Sequence, residues 1–495
     1  MKKYIFFVVG VMYTLLSHTA YAIDLNKSDA NIIGHVLEKK TGEHLSYMTV
    51  ALKGTTIGTM TDGTGHYFLK NLPEGEFTLS VSAVGYKPQE RKVILKRGKT
   101  LEENFELEED MVALDGVVVT ANRNETARRL APTLVKVVTP KLFDMTNSHT
   151  LSQGLVFQPG VRVENDCQNC GYSQVRINGM DGKYTQILID SRPIFSALAG
   201  VYGLEQIPAN MIERVEVVRG GGSALFGSSA IAGTVNIITK EPLRNSGSFA
   251  HSISNFDGSG SFDNNTTLNL SLVSSDNKMG AYIYGQNRHR SAWDSNGDGF
   301  SELPKLKNQT VGVNAYYRLS PYSKLNLEYH HMEEFRRGGN RFDLPPHIAE
   351  DANLNGSGEP GLVEQIEHSI NTGGLKFSAF SKDQKHSFNA YASAQHIVRD
   401  SYYSAYGHTT DFTGVLGAQY IYHFDKLFFM PSDLTGGVEF NHDNLDDKAT
   451  DMQKYRDAAL AEEPTATGDR LQQLIDKYTP CLLYTSPSPR DMRRS

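Results

Sequence analysis

Hydrophobic and polar residues alternate along much of the chain, and this two-residue period is typical of β-strands whose two faces meet different surroundings. In residues 31–108 the alternating runs are short, and Thr-Gly, Asp-Gly and Pro-Glu-Gly turn sequences separate them. Short strands with regular turns predict a small β-sandwich of about seven strands in this region.

Residues 125–240 carry shorter alternating runs, at 185–190, 214–219 and 234–239. Glycines lie between these runs. Because glycine accepts positive φ and close backbone approach, we expect tight corners in a compact unit rich in strands.

Residues 245–478 contain about nine longer alternating segments. Short polar turns and long polar stretches connect them in alternation: the turns are 274–278, 319–323 and 381–385, and the long stretches are 291–307, 336–364 and everything from 441 onward. Short turns at one end of the strands and long loops at the other are typical of an outer-membrane β-barrel. A soluble array of β-sandwiches is the alternative, but it would not require this alternation of turn lengths.

Composition agrees with this interpretation. The chain has 495 residues, a formal charge of -7 and only 39% hydrophobic residues, yet it has 24 Tyr and 23 Phe. Many aromatic residues at low hydropathy suit a membrane barrel with aromatic girdles. The acidic charge does not suggest nucleic-acid binding. No nucleophile–base pair or catalytic metal set is visible, so we do not expect an enzyme.

Residues 1–22 have the features of a secretory signal peptide: Lys2 and Lys3, an apolar core over 4–16, and an Ala-Tyr-Ala cleavage sequence. No apolar run of membrane-helix length follows. We expect export.

The central unit resembles the plug domain of TonB-dependent outer-membrane receptors, of the siderophore, haem and cobalamin type. The resemblance rests on "VRINGMDGKYTQILIDSRPIF" and "IERVEVVRGGGSALFGSSAIAGTVNIITK". The plug motif residues are Arg176, Gly179, Asp190, Arg192, Pro193, Arg219, Gly220, Gly227 and Gly233. Residues 125–240 would be the plug, and 31–108 resembles the carboxypeptidase-regulatory-like domain that precedes it in many such receptors.

The resemblance implies a mainly β fold: an N-terminal β-sandwich, an α+β plug, and the N-terminal part of a transmembrane antiparallel β-barrel in contact with outer-membrane lipid. It implies TonB-driven import of a scarce nutrient complex, such as cobalamin, haem or a ferric siderophore. A signalling receptor and a glycan-import receptor without a small metal-chelate cargo are the alternatives.

Residues 112–122 match the segment of these receptors that TonB captures, the Ton box. The matching residues are Leu114, Asp115, Gly116, Val117, Val118, Val119, Thr120 and Ala121. A short β-prone segment on a tether can add itself as a strand to another protein's sheet edge. Gly116 stands where an acidic residue is more usual, and an ordinary first strand of the plug remains the alternative.

Cys167 and Cys170 form a C-x-x-C sequence. In an exported protein an oxidising compartment favours a small disulfide between them. Contact with a metal or with cargo, or no special role, are the alternatives.

One predicted loop has the spacing of oxygen ligands for a hard cation such as Ca²⁺. The candidate ligands are Asp294, Asn296, Asp298 and Glu302, with Lys305 where a complete calcium loop would have its last carboxylate. A plain Asn/Gly/Asp turn is the alternative. No cofactor is otherwise required.

The remaining histidines carry no recognisable ligand pattern. His35, His44 and His66 lack metal-ligand spacing, so we interpret them as surface residues. We interpret His289, His330, His331 and His347, on or near predicted loops, as solvated residues, with haem ligation as the alternative that the resemblance raises.

Barrels of this family have about 22 strands, so we expect the present chain, with about nine, to end less than halfway round the barrel. Residues 481–495, CLLYTSPSPRDMRRS, lack a strand pattern and look like vector-derived sequence. We therefore do not expect these residues to form part of the fold, or Cys481 to pair with the other cysteines.

Overall fold

The structure is a computed structural model that describes most of the chain between residues 30 and 450. The residues within that span that it leaves undescribed are 46–47, 83–85, 109–116, 119–125, 128–134, 168–171, 194–206, 228, 353–354, 384 and 428–429. The expected signal peptide (1–22) and C-terminal tail (481–495) lie outside the described residues.

The N-terminal region is a sandwich of two four-stranded sheets. Its strands are β1 (Ala30–Glu38), β2 (Thr49–Leu52), β3 (Gly58–Met60), β4 (His66–Leu72), β5 (Gly75–Ser82), β6 (Gln89–Leu95), β7 (Thr100–Glu102) and β8 (Phe105–Leu107). One sheet groups β4, β1, β7 and β8, and the other has the order β3-β2-β5-β6. The inward residues of the alternating pattern, such as Ile32, Leu69 and Leu79, are fully buried between the sheets.

The central domain is a mixed unit with a small sheet. It contains β9 (Val117–Val118), β10 (Thr126–Ala127), β11 (Val135–Val138), α1 (Pro140–Met145), α2 (Leu151–Leu155), β12 (Val161–Cys167), β13 (Tyr172–Ile177), β14 (Thr185–Ile189), β15 (Ile212–Arg219), α3 (Ser223–Phe226) and β16 (Gly233–Thr239). The sheet order is β11-β15-β16-β14, while β12 and β13 form a hairpin and β9 and β10 a two-stranded ladder.

The C-terminal region is one antiparallel sheet in which each strand pairs with its neighbours in sequence. Its strands are β17 (Ser246–Asn255), β18 (Phe262–Val273), β19 (Met279–Arg290), β20 (Lys305–Ser320), β21 (Ser323–Gly339), β22 (Val363–Phe380), β23 (His386–Tyr403), β24 (Tyr406–Leu427) and β25 (Met430–Thr450). Nine strands in this sheet, in the described part of the chain, agree with the sequence pattern. A short helix, α4 (Pro346–Glu350), lies in the long stretch between β21 and β22.

The two faces of this sheet differ as a barrel wall requires. One face exposes apolar side chains from neighbouring strands, including Leu268, Ile283, Val311, Leu327 and Leu416. Cross-strand partners share a face, and Leu268, Val311 and Leu416 pair with Gly285, His331 and Ala392. The other face packs against the central domain. The predicted fold class, an N-terminal sandwich, a plug and part of a barrel, is therefore confirmed.

Among the described residues, none of the helices combines the length and the apolar character needed to cross a bilayer.

The expectation of a loop from residue 441 onward is wrong, because β25 continues to Thr450. Its partner β24 is also longer than its sequence pattern indicates. Where both faces of a strand meet water, no hydrophobic alternation marks it, and polar residues such as Asp443 and Asp447 are then compatible with a strand.

The sandwich rests on the short turn between β20 and β21. The Thr56 amide donates to the Pro321 carbonyl oxygen at 2.8 Å, and Arg318 Nη2 donates to the Gly58 carbonyl oxygen at 3.4 Å. Tyr322 packs against the hydrophobic core of the sandwich. The sandwich therefore contacts the sheet directly, in addition to being joined to the central domain by the chain.

Candidate functional site: the central domain seated on the sheet

A tight turn after β14 points one arginine at the sheet. Ile189 and Arg192 exchange two backbone hydrogen bonds, of 3.1 and 2.9 Å, around Asp190 and Ser191, whose φ angles are +47° and +66°. Two consecutive left-handed residues are what a two-residue hairpin turn requires, and Asp accepts this conformation better than most residues.

Neighbouring strand β16 fixes this turn. The two Asp190 carboxylate oxygens accept hydrogen bonds from the Thr239 amide (3.0 Å) and hydroxyl (2.7 Å). Asn236 Oδ1 accepts from the Ser191 amide at 2.9 Å. The direction in which Arg192 leaves the turn is therefore set by the sheet of the central domain.

Arg192 crosses to the nine-stranded sheet and is almost fully buried there. Its Nη2 donates to Glu328 Oε2 on β21 at 2.5 Å, and its Nη1 donates to Ser393 Oγ on β23 at 3.0 Å. Only 4% of the Arg192 side chain and 17% of the Glu328 side chain are exposed. Asp190 adds a second carboxylate, 3.6 Å from Nη2.

Gly374 on β22 makes room for this ion pair. A Cβ atom at that position would lie 2.4 Å from Glu328 Oε1 and 2.5 Å from Arg192 Nη1. A side chain there would force the charged groups apart, so the absence of one allows the close contact.

Two tyrosines of β19 form a second seat for the central domain. Tyr282 and Tyr284 are buried in the hydrophobic core of that domain. Tyr282 donates from its hydroxyl to the Asn210 carbonyl oxygen at 2.8 Å, and the Asn210 side chain donates to Asn269 Oδ1 at 2.9 Å. The Tyr284 hydroxyl lies 3.1 Å from His330 Nδ1.

His330 is therefore half-buried on the inner face of β21, whereas we expected it near a loop. Its neighbour His331 lies 3.0 Å from Asn371 Oδ1. The two histidines point to opposite faces of the strand, as adjacent strand residues do.

The end of the central domain is attached by polar contacts. Glu241, just after β16, accepts hydrogen bonds from Lys324 Nζ at 3.0 Å, and Asn314 Nδ2 donates to the Lys240 carbonyl oxygen at 3.2 Å. Burial lowers the pKa of Lys240 from its usual range.

His149, just before α2, lies close to β17 and β19. Its Nε2 is 3.3 Å from Ser252 Oγ, and its carbonyl oxygen accepts from Gln286 at 3.4 Å. Burial, and then the positive charge of Arg288, lower the pKa of His149, so its imidazole is held in the neutral form.

The other motif residues shape the central domain itself. Arg176 on β13 pairs with Glu164 and lies 3.4 Å from Asp181. Arg219 packs on Gly160, where a Cβ would come within 2.5 Å of its Nη1. A Cβ on Gly233 would lie 2.4 Å from the Val218 carbonyl oxygen. Gly179, Gly220 and Gly227 have φ of +79°, +103° and +96°. Pro193 directly follows Arg192.

Of the Ton box, the structure describes only Val117 and Val118. They pair with Thr126 and Ala127 in the two-stranded ladder. Residues 114–116 and 119–121 lie outside the described residues. Whether this segment leaves the ladder to join another sheet stays a prediction.

Cys167 lies at the end of strand β12. The backbone of Cys167 pairs with that of Tyr172, and Cys170 lies outside the described residues. The disulfide stays a prediction.

The predicted cation loop is closed by two backbone hydrogen bonds between Trp293 and Leu303, of 3.0 and 3.1 Å. Carboxylate oxygens of Asp294, Asp298 and Glu302 lie within 4.8 Å of one another. Asp294 accepts from the amides of Gly297 and Gly299, and Asn296 Nδ2 donates to Asp298 at 3.1 Å. These bonds fit a plain turn, and the converging carboxylates fit a cation.

Comparison with known proteins follows the same division of the chain. Residues 32–119 match the CarboxypepD_reg-like domain, and residues 127–234 match the TonB-dependent Receptor Plug Domain. The chain is 35% identical over 229 residues to the vitamin B12 transporter BtuB of Vibrio vulnificus (strain YJ016), covering 40% of this chain and 37% of that protein. It is 37% identical over 128 residues to the vitamin B12 transporter BtuB of Photobacterium profundum, covering 25% and 20%.

Two solved structures share the fold. The siderophore receptor PirA from Acinetobacter baumannii matches with a TM-score of 0.52 and 21% identity over 64% of this chain and 49% of that one. The P. aeruginosa receptor FpvA, bound to heterologous pyoverdines, matches with a TM-score of 0.54 and 14% identity over 68% and 45%.

A plug domain seated against a barrel wall defines a class of outer-membrane receptors. The chain carries the plug domain of the TonB-dependent receptors, as its motifs indicate, and shares the fold of a solved receptor. These relatives are transporters and receptors rather than enzymes. The chain spans 37% of the length of the Vibrio vulnificus transporter and 49% of the length of the Acinetobacter baumannii receptor.

Proposed function

We propose that this protein imports a scarce nutrient complex across the bacterial outer membrane, with energy delivered through TonB. The observation that carries this proposal is the seated plug. Buried contacts join it to the inner face of a sheet whose outer face is apolar. A wall of this kind suits lipid on one side and a closed, removable plug on the other.

We propose cobalamin as the first cargo to test. The support is sequence identity of 35–37% to two vitamin B12 transporters over parts of this chain. Ferric siderophores and haem are the competing cargoes. The siderophore receptors share the fold with this chain, which does not select a cargo.

In the proposed mechanism the plug gates the path and no bond of the cargo changes. TonB would add a strand to residues 112–122 from the periplasm and pull. The pull would have to break the buried Arg192–Glu328 contact, or remodel the plug around it, before cargo could pass.

The test is uptake of labelled cobalamin by cells that produce the receptor. Val118→Pro removes a backbone donor and fixes φ, so strand addition should fail. Val118→Thr keeps a β-branched side chain and is the control. We expect Val118→Pro to abolish uptake while surface binding of cobalamin persists. Wild-type uptake by Val118→Pro would contradict the TonB assignment, and absence of any cobalamin binding would contradict the cargo.

We also propose that Asp294, Asn296, Asp298 and Glu302 hold Ca²⁺ and order the loop between β19 and β20. The convergence of three carboxylates supports this. Asp294→Asn with Asp298→Asn should abolish any Ca²⁺ dependence of cargo binding. Equal cargo affinity of the wild-type receptor in Ca²⁺ and in chelator would show that the loop is only a turn.

A further inference from the structure

Three histidines that are far apart in the sequence meet on the surface of the N-terminal sandwich. His35 on β1 and His66 at the start of β4 are direct cross-strand partners. His44 lies in the loop that folds back on β1, where a backbone bridge joins it to Leu37. The ring centroids are 5.4 Å apart for His35–His44, 5.8 Å for His35–His66 and 5.1 Å for His44–His66.

These spacings match those of a three-histidine metal site. With a metal–nitrogen distance of about 2.0–2.1 Å, each ring centroid lies roughly 3.2 Å from the metal, and tetrahedral ligands place the centroids about 5.2 Å apart. The three rings therefore already have the separation that a shared ion would impose.

The ring nitrogens do not yet point to one centre. The ligand atoms of the three histidines are not all within 4.8 Å of one another, unlike those of the carboxylates in the cation loop. His44 and His66 are exposed, so rotation about their side-chain bonds can turn the nitrogens inward.

A hydrogen-bond chain already prepares one of the rings. The Thr64 hydroxyl donates to Asp62 Oδ1 at 2.7 Å and lies 3.1 Å from His66 Nδ1. The Thr64 hydroxyl has a single proton, and its hydrogen bond to Asp62 uses that proton. His66 Nδ1 must then be the donor to Thr64, which leaves the lone pair on Nε2 for a metal. Metal-bound histidines are commonly oriented by a partner on the other ring nitrogen.

A glycine lets the third histidine approach. Gly65 has φ of +78°, and a Cβ there would lie 2.8 Å from His44 Cβ and 3.2 Å from His44 Nδ1. Any other residue between Thr64 and His66 would push His44 away from the pair formed by His35 and His66.

We propose that His35, His44 and His66 together bind one borderline divalent transition-metal ion, such as Zn²⁺, on the N-terminal sandwich. Three neutral imidazoles suit such ions, and a water molecule would complete the tetrahedron. The proposal is independent of the import function and of the calcium loop, whose oxygen ligands select hard cations.

The test uses the full chain, purified in detergent with a tag that contains no histidine. Co²⁺ is the probe, since its visible absorption bands report tetrahedral coordination, and Zn²⁺ is then used as the competitor. We expect one Co²⁺ per chain with a tetrahedral spectrum that Zn²⁺ abolishes. His35→Ala, His44→Ala and His66→Ala should each weaken Co²⁺ binding by at least about 100-fold, and Thr64→Val by about 10-fold.

The controls separate this site from other metal-binding groups. His251→Ala is the matched control, because His251 is also an exposed strand histidine beside a threonine, 2.8 Å from Thr266 Oγ1. It should not change binding, nor should Asp294→Asn with Asp298→Asn. His44→Cys should restore binding and add a sulfur-to-cobalt band in the near ultraviolet, which a merely misfolded His44→Ala could not explain.

The proposal is wrong if Co²⁺ binding is unchanged in the three histidine variants. It is also wrong if Cys167→Ser with Cys170→Ser removes the binding instead.

Discussion

The buried contact between Arg192 and Glu328 should hold the plug in its seat, and this can be measured by removing one charge at a time. Glu328→Leu leaves the Arg192 guanidinium buried with Ser393 and with Asp190 at 3.6 Å. Breaking a buried ion pair by removing one partner costs about 3–5 kcal/mol, and the remaining carboxylate puts Glu328→Leu near the lower end. With a urea m-value of about 2 kcal/mol/M, the midpoint of the plug transition should move down by about 1.5 M.

The double variant distinguishes an ion pair from general damage to packing. Arg192→Met with Glu328→Leu removes both charges and leaves neither one buried alone. Replacing a buried pair by apolar side chains is often neutral, so the double variant should be more stable than either single variant. The coupling free energy should be at least about 2 kcal/mol, within the range measured for residues in contact.

The assay should report the plug rather than the whole chain. A fluorescent label on Met145→Cys fits, since Met145 in α1 is 75% exposed. The native cysteines are replaced by serine in this background. Glu334→Leu is the matched control, because Glu334 is a buried carboxylate on the same strand that pairs with Arg336 at 3.4 Å within the sheet. The ion pair does not hold the plug in place if the losses in unfolding free energy of Arg192→Met and Glu328→Leu simply add in the double variant. The same conclusion follows if Glu334→Leu shifts the transition seen by the label as much as Glu328→Leu does.

Further expectations follow from single contacts. Gly374→Ala should destabilise the plug by about 1–3 kcal/mol in the same urea assay, because its Cβ would meet both charged groups. Gly373→Ala is the control, because the nearest atom to its Cβ would be the Glu328 carbonyl oxygen at 3.8 Å. Equal effects of the two substitutions would contradict the close fit at Gly374. Because the folded-state pKa of His149 is lowered, wild-type plug stability should fall as pH drops below about 6.5 towards that lowered pKa. His149→Gln should flatten this dependence, and an unchanged slope would show that another group titrates. Tyr322→Ala should speed hydrogen exchange at the Thr56 amide, which donates to the Pro321 carbonyl oxygen. Tyr317→Ala, on the exposed face of β20, should not change this exchange rate. Equal exchange rates in the wild type and both variants would mean that other contacts hold the sandwich on the sheet.

The sequence predicted the strands of the barrel wall where lipid and plug impose different faces on them. It failed beyond residue 441, since a strand with water on both sides has no hydrophobic period. The plug motif in the sequence identified Arg192 as a candidate functional residue. It did not identify the ion-pair partner Glu328, which lies 136 residues further along the chain. Period-two alternation places Glu328 on the polar face of β21 but does not say which plug residue it meets.

The histidine cluster also shows that sequence alone does not reveal contacts between residues distant in the chain. Spacings of nine and twenty-two residues between His35, His44 and His66 match no ligand motif. The pairing of β1 with β4 brings them together, and this register is a property of the folded sandwich. His44 and His66 are exposed and His35 is half-buried, in agreement with their interpretation as surface residues, but the sequence does not show that their rings meet.

The contact between the sandwich and the β20–β21 turn holds the sandwich in place on the nine-stranded sheet. The segment from 109 to 134 joins a domain that rests on the barrel wall to β11, an edge strand of the plug sheet. A load applied near Val117 would reach β11 first, and β11 is attached to β15 by a four-residue ladder. The ion pair of Arg192 lies beyond β14, at the opposite edge. A pull on this segment would thus act first on the β11–β15 ladder at one edge of the plug sheet, whereas the buried Arg192–Glu328 ion pair would be loaded only after the rest of the sheet.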